Sequence, residues 1–213
     1  MIRHWWRTAK KRINEARCRR LPPGGKLHVG CGPVHLDGWI NIDNRRYDAV
    51  DYIVDVRDGV PFRDLAFVFA EHFIEHLPYW LAVQFLRDAR RALAPAGILR
   101  LSTPNLDWVH RSQYTSGSVR DCFDLNKAFR GWGHQFLWNL PALTAVLHDA
   151  GFDRVEVREY GHSPHPELRG LERHEKSDDL PGIPHVIIVE ASGVRAAAAT
   201  VDASDFLNAL GAE

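Results

Sequence analysis

The sequence predicts an α/β domain on a mostly parallel sheet, and three observations carry that expectation. Short apolar strands alternate with helical segments through the middle of the chain. One of them, Phe67-Val68-Phe69-Ala70, is apolar throughout, as a strand covered on both faces must be. A Gly-x-Gly turn, Gly30-Cys31-Gly32, closes the first strand, and an acid closes each of the next two.

Residues 1–20 carry Trp5, Trp6, Ala9, Ile13 and Ala16 at roughly helical spacing among arginines and lysines, which predicts an amphipathic helix. Leu21-Pro22-Pro23-Gly24-Gly25 cannot continue it and marks a boundary. The chain therefore divides into a basic arm, residues 1–25, a main domain, residues 26–191, and an Ala-rich tail, residues 192–213. Strands are expected at residues 26–29, 39–43, 52–55 and 67–70. Residues 79–94 read as a helix, with Leu81, Phe85, Ala89 and Leu93 on an i, i+4 stripe. Pro95-Ala96-Gly97 ends that helix before a strand at residues 98–102. Residues 106–134 read as irregular. A helix over 139–150 has Pro141 in its first turn and Gly151 beyond its end. Strands at 155–159 and 185–190 flank a polar loop with four prolines, expected to be a solvated lid. Residues 203–210 are expected to form a short amphipathic helix.

At 213 residues, 45% apolar and 25% charged, the chain has the length and composition of one globular domain, not of a disordered chain or a disulfide scaffold. Its formal net charge is zero, which excludes a global footprint for nucleic acid, and no specific nucleic-acid partner is expected. The zero hides a split. Residues 1–26 hold nine basic residues and one acid, leaving 18 basic and 26 acidic residues, a balance of −8. The arm is suited to an anionic membrane surface, with Trp5 and Trp6 entering the interface. Liposome sedimentation with and without residues 1–20 reads this out: the arm should increase pelleting, and identical pelleting contradicts it. Cys18, Cys31 and Cys122 fit neither a disulfide framework nor a C-x-x-C metal pair, which points to a reducing, cytoplasmic setting. No signal peptide and no membrane span is expected. Oligomeric state is not readable from the sequence.

Ligands of such sheets lie beyond the C-terminal strand ends. Glycines after the first strand let a ligand approach the backbone, because no Cβ intervenes. The turn lacks the third glycine of the dinucleotide fingerprint, and no Gly-Lys-Ser/Thr follows, so NAD and the phosphate loop of nucleoside triphosphatases are disfavoured. Asp43 stands where a carboxylate can accept both hydroxyls of a ribose. Asp55 and Val56 stand where an adenine can be flanked. Together they describe a pocket for an adenosine whose other end lies on a glycine turn.

Leu27-His28-Val29-Gly30-Cys31-Gly32, Asn41-Ile42-Asp43, Phe69 through Leu77, Leu93 through Leu99 and Ala150-Gly151-Phe152, in that order, resemble a class I S-adenosylmethionine-dependent methyltransferase over residues 26–191. The resemblance implies a Rossmann-like, doubly wound, three-layer fold whose seventh strand is antiparallel. It implies S-adenosylmethionine as cofactor. Gly30, Cys31 and Gly32 would approach its methionine end, Asp43 its ribose, Asp55 and Val56 its adenine; Ala70, Glu71 and His72 would line the methyl exit. There are two departures. His28 stands where the family often has an acid, and Asp43 follows Gly32 by only eleven residues, so the helix usual at that crossover must be very short or absent.

His72-Phe73-Ile74-Glu75-His76 also matches the inverted zinc-protease motif, which would put a zinc ion on His72 and His76 with Glu75 as base. That motif needs a regular helix, and Pro78 follows too closely, so a zinc hydrolase remains only an alternative and no metal ligands are assigned. A non-catalytic, methyltransferase-like binding protein is the other alternative. The expected acceptor is a small molecule or glycan, with a hydroxyl as the methylated group. A hydroxyl must lose its proton, and His134, between glycines and aromatics, is the expected general base, with His72 beside it. Asp107, His110 and Tyr114 are lesser candidates. Trp108, Trp132, Phe136 and Trp138 are read as stacking surfaces or as core.

Overall fold

The computed structural model describes residues 24–174 and 177–210. The predicted arm helix lies outside them. Seven strands form one sheet in the order β3-β2-β1-β4-β5-β7-β6: β1 (Lys26–Val29), β2 (Ile40–Asp43), β3 (Tyr52–Ile53), β4 (Leu65–Glu71), β5 (Leu93–Pro104), β6 (Arg154–Val157) and β7 (Val186–Ser192). The pairs among β1 to β5 are parallel, and β7 runs antiparallel to both β5 and β6. The fold is the expected mixed sheet with a reversed last strand.

One face carries the main core. Leu27, Val29, Val68, Leu99, Leu101 and Val189 point to this side, each at most 1% exposed. They meet α1 (Tyr79–Ala92) through Leu81, Phe85 and Ala89, and α4 (Leu140–Asp149) through Leu143, Val146 and Leu147. Each large apolar side chain so buried contributes about 1.5–3 kcal/mol. The helix stops at Ala92, and Leu93 already belongs to β5. Asn139 caps α4, accepting from the Ala142 amide at 3.0 Å.

The other face is covered differently. Phe69, Ile98, Leu36 and Trp39 pack there against Leu168 and Leu171 of the loop between β6 and β7. That loop was expected as a solvated lid. Its apolar side chains and the buried carboxylate of Glu172 instead strap it onto the sheet. Arg100, fully buried, donates to Glu172 at 2.7 Å, to Glu190 at 2.8 Å and to the His162 carbonyl at 3.0 Å. The β1–β2 crossover has no helix, as its length required, and the strap fills the space beside it.

Residues 106–134 are not irregular. They form α2 (Leu106–Gln113), α3 (Val119–Asn126) and a wide helical turn, Lys127–Gly131. Asn105 and Ser118 cap the two helices. Their apolar side serves a small satellite core of Val109, Ala128 and Leu137. The tail holds α5 (Ser204–Ala209), as expected. Among the described residues, no helix is long and apolar enough to cross a membrane.

Candidate active site

A cleft of about 520 Å³ opens beyond the C-terminal ends of β1 to β4. Its size falls in the range of small-molecule sites. Gly30 takes φ +66°, and a Cβ there would stand 2.4 Å from Phe73 Cδ2, so this position admits glycine alone without displacing the ring. Gly32 takes φ +52° with open space where a Cβ would be. Asp43 holds the turn in place of the missing helix. Its Oδ2 accepts from the Gly32 amide at 3.0 Å and its Oδ1 from the Arg45 amide at 2.8 Å. Each carboxylate oxygen has a second acceptor site, and the residue lines the cleft.

Asp55 and Val56 line the same cleft. Asp55 caps a short 3₁₀ turn, Val56–Asp58, accepting from the Arg57 amide at 3.0 Å. Val54, Val56, Leu77 and Leu81 give that end an apolar wall. An adenosine fits these residues: a floor free of side chains, an acid for the ribose, and an apolar slot with an acid at its rim.

The other predicted cofactor residues divide. Cys31 is 3% exposed and does not line the cleft. Burial, with Asp43 and Asp51 nearby, pushes its thiol up to about 11, so it stays protonated and unreactive. Ala70 is core. Glu71 turns away from the cleft to the strap, accepting from the Arg173 amide at 2.9 Å and the His174 amide at 3.1 Å. Burial would raise its carboxyl, but the hydrogen bonds from His174 and Arg173 hold it below the usual value. His28, the departure from the family pattern, is buried on the strap side. It bonds Asn41 at 3.1 Å and stacks on Phe69, and burial lowers its pKa. It serves packing.

Two titratable groups that line the cleft, His72 and His76, gather others behind them. His72 follows β4 at φ +46°, a conformation rare outside glycine. It lines the cleft, stacks on His174 with centroids 4.4 Å apart, and faces Glu75 Oε1 through Nδ1 at 3.2 Å. Glu75 is fully buried, and its Oε2 accepts from the Thr103 hydroxyl at 3.0 Å. Its carbonyl accepts from the Gln135 amide at 2.7 Å and the Phe136 amide at 3.2 Å. Gln135 Nε2 donates to the His76 carbonyl at 2.6 Å. These bonds fasten the segment around His134 onto the turn after β4, across 58 residues of sequence from His76. The rings of His76 and His134 lie 5.0 Å apart.

His134 is 8% exposed, and its Nδ1 lies 2.7 Å from the Ala128 carbonyl. A carbonyl only accepts, so Nδ1 carries the proton and Nε2 keeps its lone pair. Burial lowers its pKa more than the carbonyl raises it, so the ring is neutral near pH 7. Sequence reasoning singled out His134 but not its meeting with His76 and Glu75, because only the fold closes that distance.

Residues 72–76 are not the helix that the zinc-protease motif requires; only Ile74–His76 curl, as a 3₁₀ turn. Asp107, His110 and Tyr114 do not line the cleft. Trp138 is fully buried and Phe136 packs on the main core, so both are core. Trp108 packs on the satellite core, its indole bonded to the Asp178 carbonyl. Trp132 differs: it lines the cleft at 59% exposure, with Lys127 Nζ 5.2 Å from its ring centre.

The strand order, the reversed last strand and a side-chain-free turn opposite a ribose-ready acid define a class I S-adenosylmethionine-dependent methyltransferase. The sequence profile of the family described as "Methyltransferase domain" matches residues 6–157. The chain belongs to that family, and S-adenosylmethionine is its cofactor. Solved structures share the fold. A SAM-dependent methyltransferase from Archaeoglobus fulgidus is 15% identical with a TM-score of 0.51, over 85% of this chain and 93% of that one. One from Mesorhizobium loti is 16% identical with a TM-score of 0.51, over 83% and 95%. A possible exported protein from Bordetella parapertussis is 16% identical with a TM-score of 0.52, over 89% and 68%. No curated protein sequence matches the chain.

Proposed function

We propose that this methyltransferase acts on a hydroxyl of a small-molecule or glycan-type acceptor. The observation that supports this is that His72 and His76 line the cleft while His134, just outside its lining, sets its ring 5.0 Å from that of His76 and keeps a lone pair on Nε2. Bound S-adenosylmethionine supplies an electrophilic methyl, and the oxygen–carbon bond forms as the carbon–sulfur bond breaks with its electron pair left on sulfur. The chain's own work is alignment and proton removal. Trp132 offers an exposed ring at the rim on which a sugar or aromatic acceptor can stack. On this reading His134 Nε2 takes the hydroxyl proton, and the Ala128 carbonyl keeps the ring in that tautomer. The chain works in the cytoplasm on this reading, with the basic arm touching membrane surfaces.

Replacing His134 with alanine should cost between about 10²- and 10⁴-fold in turnover, the usual worth of a positioned base. The assay is transfer of labelled methyl to a panel of sugars and phenols. S-adenosylhomocysteine affinity should stay within about twofold, because His134 is not among the residues assigned to the cofactor. Near-normal turnover in the variant contradicts the proposal.

A further inference from the structure

We propose that Glu75, His76 and His134 form a binding site for a divalent transition-metal ion at the mouth of the cofactor cleft. The inference rests on the reading of this cluster as the acceptor-hydroxyl site and moves the proton acceptor within it from His134 to His72. One carboxylate oxygen of Glu75 and one ring nitrogen each from His76 and His134 lie within 4.8 Å of one another. Tetrahedral ligands at bond lengths near 2.1 Å stand roughly 3.4 Å apart, so an ion would draw the three in slightly.

Two further observations point to an ion. The first is how both imidazoles are held. His134 turns Nδ1 to the Ala128 carbonyl at 2.7 Å, and His76 turns Nδ1 to the Gly133 carbonyl at 3.3 Å. A histidine that ligates a metal through one nitrogen commonly donates its other N–H to a carbonyl or carboxylate, which fixes ring and tautomer together. Held this way, each ring keeps Nε2 as the nitrogen available to an ion. The second is the carboxylate. Glu75 is fully buried, yet its Oε1 receives no hydrogen bond. Only His72 Nδ1 faces it, at 3.2 Å. A carboxylate at 0% exposure with one oxygen lacking a donor is costly unless a positive charge is near.

Two imidazoles and one carboxylate are a donor set for zinc, cobalt or manganese rather than calcium or magnesium. Three protein ligands leave a coordination position open, and one of the three, His76, lines the cleft. A hydroxyl bound there becomes far more acidic, as metal-bound water does. Its proton passes to His72, which lines the cleft outside the ligand set, and the oxygen's electron pair forms the bond to the methyl carbon. On this account His134 acts through the ion instead of taking the proton itself.

The test uses the full chain, stripped with a chelator and titrated with cobalt(II), followed by visible absorption, and with zinc by calorimetry. One equivalent should bind. Affinity should fall at least about tenfold in each of His76→Ala, His134→Ala and Glu75→Gln, as loss of a ligand requires. S-adenosylhomocysteine binding, measured on the same samples, shows that each variant is folded. No cobalt band in wild-type protein that binds S-adenosylhomocysteine overturns the metal site, as does equal binding in all three variants. Lost turnover in His134→Ala without any metal binding overturns the ion but leaves the hydroxyl reading intact. A bound ion with unimpaired turnover in His134→Ala upholds the site and removes the hydroxyl reading.

Discussion

An Arg100→Leu variant is expected to lose about 3–5 kcal/mol of stability, the cost of removing one partner from a buried ion pair. For a domain of this size that lowers the melting temperature by roughly 10 °C. The guanidinium sits between two buried carboxylates. Without it Glu172 keeps only the Gly161 amide on its other oxygen, and Glu190 keeps Arg158 at 2.8 Å. Burial pushes the Glu190 carboxyl up, but bonds from Ser163 and Arg158 and the positive charge of Arg100 hold it below its ordinary 4.5. A depressed carboxyl contributes stability above the unfolded value and loses it as pH falls through the folded one, so the network weakens only below about pH 4.5. The double variant Arg100→Met, Glu172→Leu should be less destabilised than Arg100→Leu, because it leaves one fewer charge unpaired. Thermal melts of the three proteins decide. A loss under about 1 kcal/mol in Arg100→Leu contradicts the view that this network holds the strap.

An Asp43→Ala variant should bind S-adenosylhomocysteine at least about 100-fold more weakly. Hydrogen bonds to a charged group are worth about 1.5–3 kcal/mol each, and the assignment gives this carboxylate two ribose hydroxyls. The substitution also releases the Gly32 amide, so the turn loses its tie to β2. Asp43→Asn keeps one acceptor and should fall between the two. Equal affinity in wild type and Asp43→Ala contradicts the assignment.

Much of this fold is legible in local pattern. The first strand was expected at its observed bounds, and α1 announced itself through an i, i+4 stripe that meets the sheet. That Gly30, Asp43 and Asp55 line the cleft was legible because topology alone decides what stands beyond a parallel strand. The strap was not legible, since its anchor is Arg100 on β5 meeting Glu172, 72 residues later, and no periodicity reports such a pair. Glu71 was misplaced for the same reason: position after a strand does not say to which face the carboxylate turns. The imidazole cluster is the sharpest case. His76 read as a residue of a turn, and His134 as a residue near a helix start. Bonds from Gln135 and Phe136 to the Glu75 and His76 carbonyls make them neighbours.

The most direct measurement is calorimetric titration of the wild-type protein with S-adenosylhomocysteine. Saturable one-to-one binding with a dissociation constant between about 1 μM and 1 mM is expected from a working cleft of this class. No heat up to millimolar ligand, from protein shown to be folded by its melting transition, would contradict the claim that Gly30, Asp43, Asp55 and Val56 form the cofactor site.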